Sequence, residues 1–369
     1  MLKKVTFLGC ILSLLFSCME QSSYHIKVNL TNLEPQEVYA VLESEMMKTA
    51  ETYLYDGNGE LVLSPKEGDY RTLTLYYDNF SKWVTVYLED KRRLVVSGDA
   101  ATPHSVQVKG GGINDLLSDF KKETALLLDE YTSFADSVSA EQLAQQGVNR
   151  MTRLANIRNE LRLQAEAFIL KHPDEKASAI LIKDYFVDPD NHPQIEALLA
   201  TLMPELSGFY VVQELKEYVE KAKQTAIGAK APDFNVMTIN GDRYTRDSFS
   251  DGYLLLAFTY LWEDMCHTNH LHLDKIISSY PKDSLHVLLV TLDEQPQHLR
   301  DSTGKEKIKW DIVTDSLGQS IKLLDTYNIN ALPRSFLIDR TGNIVMRTDN
   351  GVELQQTLDK LMPPPESRN

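Results

Sequence analysis

The sequence predicts a multidomain α+β protein: an N-terminal β-sandwich, a helical middle and a C-terminal α/β domain. Three observations carry this. Short runs with alternating polarity fill residues 24–110, and period 2 puts one face of each strand in a core. Apolar residues at helical spacing dominate 111–225. Two continuous apolar runs, Tyr253 to Phe258 and Leu285 to Thr291, then read as parallel strands buried on both faces.

In the first part, Ile26 to Leu30, Leu73 to Tyr76 and Trp83 to Leu88 alternate. Asp56 to Gly59 reads as a hairpin turn, and Glu89 to Arg92 is expected to join its flanking strands in the same way. Gly110 to Gly112 closes the sandwich. In the middle, Leu154, Ile157, Leu161 and Phe168 form a stripe that ends at Lys171 to Pro173. Further helices are expected from Glu175 to Tyr185, from Gln194 to Leu202 with Pro193 in the first turn, and from Pro204 to Thr225. These leucine stripes need no explanation beyond packing. His172 and His192, each before a proline, read as loop residues. In the last part, Asn240 and Gly241 mark a hairpin turn. A helix carrying Leu273, Ile276, Ile277 and Tyr280 on one face is expected to end before Pro281. Leu317 to Tyr327 reads as helical. Ser335 to Asp339 and Ile344 to Met346, joined by a turn at 340–343, form a closing antiparallel pair.

Composition bounds the function. The 369 residues are 43% hydrophobic, which fits globular domains with real cores. The net charge of -15 disfavours nucleic acid, whose recognition needs basic patches. Lys3 and Lys4 precede an apolar run from Val5 to Phe16, too short to span a bilayer comfortably. The run ends in Leu15, Phe16, Ser17 and Cys18, which resembles a bacterial lipobox. The expectation is a signal peptide over 1–17, a lipidated Cys18, a tether over 18–23 and a place in the cell envelope, most simply at the outer membrane. Phe16 is bulkier than usual at its position, and an ordinary cleaved signal or N-terminal anchor is the plainer alternative. Of the three cysteines, Cys10 leaves with such a signal and Cys18 carries lipid. Cys266 is then the one free thiol, and no intramolecular disulfide forms.

The stretch from Leu261 to His270, read with Leu332 and Pro333, resembles the W-x-x-x-C-x-x-C active site of thioredoxin-like envelope reductases of the TlpA/ResA type, within the AhpC/TSA-redoxin superfamily. Ala231 to Phe234 is similar to the family's A-P-D-F opening. The N-terminal part resembles the β domain of unknown function that precedes thioredoxin domains in Bacteroidetes lipoproteins, on its pattern and on Val108 to Asn114. The resemblance implies a thioredoxin-like domain over 226–369, with Trp262 and Cys266 as the family's Trp and attacking Cys. It implies a cis Pro333 beside the thiol, and a groove at Leu332 and His267 for an extended polypeptide or a thiol- or disulfide-bearing partner protein.

The departures from the family matter as much. Asn269 stands where the resolving Cys belongs. Met265 replaces an aromatic residue, and Tyr253 to Phe258 carries no acid to accept a proton. A helix N-terminus favours a thiolate, and a protonated His267 would add to this. Glu263 and Asp264 push the other way. The expected function is therefore oxidoreductase-like monothiol exchange at Cys266, and the rival is a redox-inactive binding module that keeps the fold and groove. A peroxidase reading fails because Thr259 and Glu263 occupy the positions of that pattern's Pro and Thr. A distant third is Cu or Zn binding of the Sco type. Cys266 and His270 share a helix face, but further ligands such as His286 or His298 are candidates by residue type alone. No metal or cofactor is expected.

Cys18→Ser should release unlipidated protein from the membrane fraction. A wild-type chain that carries no lipid and stays soluble in the periplasm would refute the lipidation.

Overall fold

The computed structural model describes residues 24–65, 68–88, 93–136, 150–188, 191–260, 279–281, 283–293 and 311–362. Two compact units divide the chain, residues 1–164 and 165–369.

Among the described residues the first unit holds eight strands: β1 His25–Thr31, β2 Gln36–Glu43, β3 Lys48–Tyr55, β4 Leu61–Leu63, β5 Thr72–Tyr77, β6 Lys82–Tyr87, β7 Arg93–Asp99 and β8 Gln107–Lys109. They make two four-stranded sheets, ordered β4-β1-β7-β8 and β3-β2-β5-β6. Ile26, Val28 and Leu30 from one sheet join Val38, Ala40, Leu42, Leu73 and Leu75 from the other in one buried cluster, which makes this a sandwich. The alternation read from the sequence is the inward face of each strand.

Two expected hairpins are absent. β3 pairs with β2 and β4 with β1, so Asp56 to Gly59 carries the chain from one sheet to the other. Likewise β6 pairs with β5, whereas β7 lies parallel to β1; residues 89–92 themselves lie outside the described residues. The turn chemistry at 56–59 is as expected. Gly57 and Gly59 have positive φ, and the Asp56 carboxylate accepts the Asn58 N–H at 2.9 Å. Such a turn reverses the chain but does not encode which strand becomes the partner.

Helices α1 Gly112–Glu123, α2 Ala125–Asp136 and α3 Arg150–Lys171 follow. The Asn114 amide on α1 brackets Tyr87, accepting its N–H at 3.0 Å and donating to its carbonyl at 2.7 Å. The α3 stripe is Leu154, Ile157, Leu161, Ala165 and Ile169. Phe168, expected on it, is half-buried and lies 4.6 Å from the His172 ring. The 3.6-residue period carries the stripe onto Ala165 and Ile169, one position past Phe168.

The second unit continues with α4 Lys176–Phe186, α5 His192–Thr201 and α6 Tyr210–Gln224. The single helix expected from Pro204 is broken. Residues Pro204–Gly208 form a 3₁₀ turn and Phe209 is extended, so the helical ladder restarts at Tyr210. β9 Asn235–Met237 and β10 Arg243–Thr245 make the expected hairpin, with Gly241 at φ 90°. The main sheet is ordered β13-β12-β11-β14-β15, comprising β11 Tyr253–Thr259, β12 Leu285–Thr291, β13 Asp311–Val313, β14 Arg334–Ile338 and β15 Ile344–Thr348. β11, β12 and β13 run parallel, and β14 and β15 close the sheet antiparallel. Helices α7 Gln319–Thr326 and α8 Gly351–Leu361 complete the described elements.

β11 explains its own composition. Leu254, Leu256 and Phe258 enter one core with Phe336 and Tyr327. Leu255 and Ala257 enter another with Leu337, Leu354 and Leu358. A strand with a core on each side has no solvent face to alternate toward.

The β14–β15 turn is organised by Asp339. Its carboxylate accepts the N–H groups of Thr341 and Asn343, both at 2.9 Å, and the Thr341 hydroxyl at 2.7 Å. Burial pushes this carboxyl up, but the hydrogen bonds from Asn343 and Thr341 outweigh it and hold the group below its ordinary value. A carboxylate whose folded value is depressed stabilises above its unfolded value of about 4 and loses that contribution as pH falls through the folded value. Asp339→Asn should therefore cost about 1–2 kcal/mol at pH 7. The gap from wild type should close in acid, as measured by urea unfolding from pH 7 down to pH 3.

Candidate functional site

The C-terminal ends of β11, β12 and β13 lie together at one edge of the sheet, where open α/β sheets bind ligands. β11 ends in Thr259, which is buried. Phe258, next to last in β11, pairs with Arg334, so Leu332 and Pro333 immediately precede the β14 residue paired at the end of β11. The Leu332–Pro333 peptide bond is cis. Leu332 is half-buried and packs against the Phe258, Tyr327 and Phe336 core, while Pro333 is partly exposed. Tyr260 is the last described residue before 261–278, the part of the sequence that contains Cys266.

The loop in front of Pro333 is anchored from below. Asn328 takes a left-handed conformation at φ 52°, and the Ile329 N–H donates to the Leu324 carbonyl at 2.9 Å. The Tyr327 hydroxyl donates to the Pro232 carbonyl at 2.8 Å, and burial pushes this phenol well above its ordinary value. The buried Arg347 guanidinium donates to the Asn328 carbonyl at 3.2 Å and, at 3.5 Å, to the Thr225 hydroxyl. It also lies 5.2 Å from the Phe336 ring centroid, a cation–π contact. Arg347 therefore ties the end of α6 to the loop that leads into Leu332–Pro333.

β12 brings a carboxylate to the same edge. Asp293 accepts the Thr291 hydroxyl at 2.5 Å, and its carbonyl accepts the Asp315 N–H at 3.3 Å. Sequence reasoning passed over Asp293 and Arg347. Asp293 was findable as an acid directly following the apolar run of a parallel strand. Arg347 was not, because a lone Arg in a short strand ordinarily reads as a surface residue.

Of the residues proposed from sequence, Leu332 and Pro333 are on this edge. Trp262, Cys266, His267, Asn269 and His270 lie outside the described residues, as do Cys18 and His298. His286 is at the opposite end of β12, paired with Leu254, about 16 Å along the strand from Thr291. There its ring bonds Asp251 at 2.8 Å, which holds that carboxyl below its usual range. His286 therefore does not belong to a metal set at the Pro333 edge. Among the described residues no cluster of three or more His, Cys, Asp or Glu is positioned to hold a metal.

With this geometry established, comparison with known proteins gives one consistent result. A model of the AhpC/TSA family matches residues 227–347. The thiol-disulfide oxidoreductase ResA of Bacillus cereus is 24% identical over 161 residues, covering 43% of this chain and 91% of that protein. ResA of Geobacillus kaustophilus is 24% identical over 141 residues, covering 37% of this chain and 79% of its own. Among solved structures, a thioredoxin-like protein from Bacteroides caccae covers 61% of this chain and 87% of its own at 21% identity, with a TM-score of 0.42. A thiol-disulfide oxidoreductase from Bacteroides fragilis covers 36% and 99% at 28% identity, with a TM-score of 0.33. Residues 227–347 form a thioredoxin-like domain of the AhpC/TSA family. Within that class the domain is similar to thiol-disulfide oxidoreductases of the ResA type.

If Arg347 holds the loop, removing its donors leaves the Asn328 carbonyl without that bond and the core with a void. Arg347→Met should lower stability by about 1–3 kcal/mol. Arg347→Lys should recover only part of this, because an ammonium lacks the planar fork. Chemical denaturation of the three proteins measures both effects.

Proposed function

We propose that the C-terminal domain exchanges thiols and disulfides through one thiol, Cys266, on an extended polypeptide or other disulfide-bearing protein. The observation that carries this reading is the position of Leu332–Pro333 beside the end of β11, from which the chain continues into the segment of Trp262 and Cys266. The Cys266 thiolate attacks one sulfur of a partner disulfide. A mixed disulfide forms, and the partner's second sulfur leaves as a thiolate that takes a proton from solvent. In a two-cysteine enzyme an internal thiol then resolves the mixed disulfide. Asn269 occupies that position here, and an amide does not attack sulfur, so release requires an external thiol. Trp262 is read as the apolar wall of the groove and His267 as part of its lip. Lipid attachment at Cys18 would hold this chemistry at the envelope membrane.

One observation favours a second reading, a binding module without redox chemistry. Leu254 to Thr259 of β11 are all buried, and none is an acid. The strand therefore offers no carboxylate to manage a proton next to the thiol.

The purified protein should not reduce insulin disulfides catalytically with a dithiol reductant. It should instead trap a mixed disulfide that Cys266→Ala abolishes, and Asn269→Cys should raise reductase turnover. Efficient insulin reduction by the wild type would contradict the single-thiol mechanism. A Cys266 inert to thiol titration in the folded protein, with no trapping, would establish the binding module instead.

A further inference from the structure

We propose that the outer face of the β3-β2-β5-β6 sheet is a binding platform for a neutral polysaccharide chain. Side chains on these strands alternate, and Val38, Ala40, Leu42, Leu75, Val84 and Val86 point into the sandwich core. The residues between them form the other face. Register aligns Thr52, Tyr39, Tyr76 and Trp83 in one row across four strands. The next row is Ala50, Val41, Thr74 and Thr85, with the last two hydroxyls 3.3 Å apart. Phe80, from the β5–β6 turn, lies over the first row. It stacks on Tyr39 with centroids 4.6 Å apart and sits 5.6 Å from Tyr76, which is 6.5 Å from Trp83. Phe80 remains 54% exposed and Trp83 56%. Two open aromatic rings, Phe80 and Trp83, thus flank Tyr76 on one face of the sheet.

The position of Phe80 is built at a cost. Asp78, Asn79 and Phe80 are consecutive non-glycine residues with φ of 50°, 52° and 64°, a left-handed conformation that L-residues ordinarily adopt singly. Backbone kept in such a region concentrates at ligand sites. Here it is held by specific bonds. The Gln36 amide donates to the Asp78 carboxylate at 3.0 Å and accepts its N–H at 2.6 Å, Lys82 pairs with Asp78 at 2.8 Å, and Ser81 donates its hydroxyl to the Asp78 carbonyl at 2.7 Å.

The chemistry of the face selects its ligand. Exposed ring faces match the apolar C–H faces of pyranose rings. Threonine hydroxyls and the Glu37 carboxylate, already bonded by the Tyr39 hydroxyl at 2.9 Å, match sugar hydroxyls at the rim. The two rows contain no cation, the adjacent Lys82 is paired, and the chain carries a net charge of -15, so polyanions are disfavoured. A protein partner would call for a pocket that buries an anchor, whereas here Phe80 and Trp83 are tilted against Tyr76 by 44° and 39° and present separate faces to successive sugar units.

The test is affinity electrophoresis of the full chain through gels containing hydroxyethyl cellulose, galactomannan, arabinoxylan or dextran, with polygalacturonate as the anionic control. At least one neutral polymer should retard the wild type. Trp83→Ala and Phe80→Ala should each weaken retention about ten-fold or more, and Trp83→Phe should keep most of it. Thermal unfolding of each variant shows whether the sandwich is intact, and Trp83→Phe preserves the test if an alanine variant misfolds. No retardation by any of the four neutral polymers overturns the proposal, as does retardation unchanged in both alanine variants or seen with polygalacturonate alone. Sedimentation showing a dimer that Trp83→Ala dissociates, with no polymer binding, would make the face an interface between copies and would equally overturn it.

Discussion

Two-sided burial of β11 is the constraint on which the C-terminal domain depends. A strand with a core on each face tolerates no slip, because a one-residue shift would move Leu254, Leu256 and Phe258 into the core built for Leu255 and Ala257. That pins the register to β12 on one side and to β14 on the other. The β14 register in turn delivers Pro333 to the end of β11. The site edge is thus a consequence of core packing more than of any loop. Core substitutions in β11 or β14 would disturb the edge at Pro333 through packing alone.

A second layer of support comes from outside the sheet. The segment after α6 runs beside β15: the Gly228 N–H donates to the Ile344 carbonyl at 2.7 Å, and the Ile344 N–H to the Ala229 carbonyl at 2.9 Å. Lys221 on α6 pairs with Asp325 on α7 at 2.5 Å, and Arg347 reaches Thr225 and Asn328. The Lys221 pair is half-exposed and worth little alone. Arg347 differs because its cation is buried; its hydrogen bonds and the Phe336 ring replace water, and losing them would leave a desolvated charge. The helical segment is therefore joined to the thioredoxin-like domain by one buried polar contact at Arg347 and by more exposed ones.

How much could be read in advance follows from the range of each signal. The buried run of β11, the Asn240–Gly241 hairpin and the closing pair β14–β15 were legible because periodicity and turn chemistry are local. The sheet crossings at Asp56 to Gly59 and after β6 were not, since a tight turn looks the same whether its strands pair with each other or with other strands. The break at Phe209 escaped because Pro204 signals a helix start equally well for one turn or for five. At the site, Leu332 and Pro333 were visible as a motif. Arg347 acquires its role only when β15 is set against Phe336 and the Asn328 loop, and that pairing is long-range. The aromatic row of Tyr39, Tyr76 and Trp83 is a product of register too; in the sequence these residues belong to three separate alternating runs.

The two surfaces of interest rest on different physics, and this makes them separable. The Pro333 edge is positioned by the Phe258, Tyr327 and Phe336 core, and the Trp83 face by the sandwich core of Ile26, Val38 and Leu75 together with the Asp78 turn. No residue is common to the two clusters. Substitutions that share no packing partner combine additively, whereas coupled ones depart from additivity by 0.5 kcal/mol or more, roughly. Additive stability effects of Trp83→Ala and Arg347→Met in the double variant would mean that each surface is maintained by its own core. Either one could then change without disturbing the fold of the other.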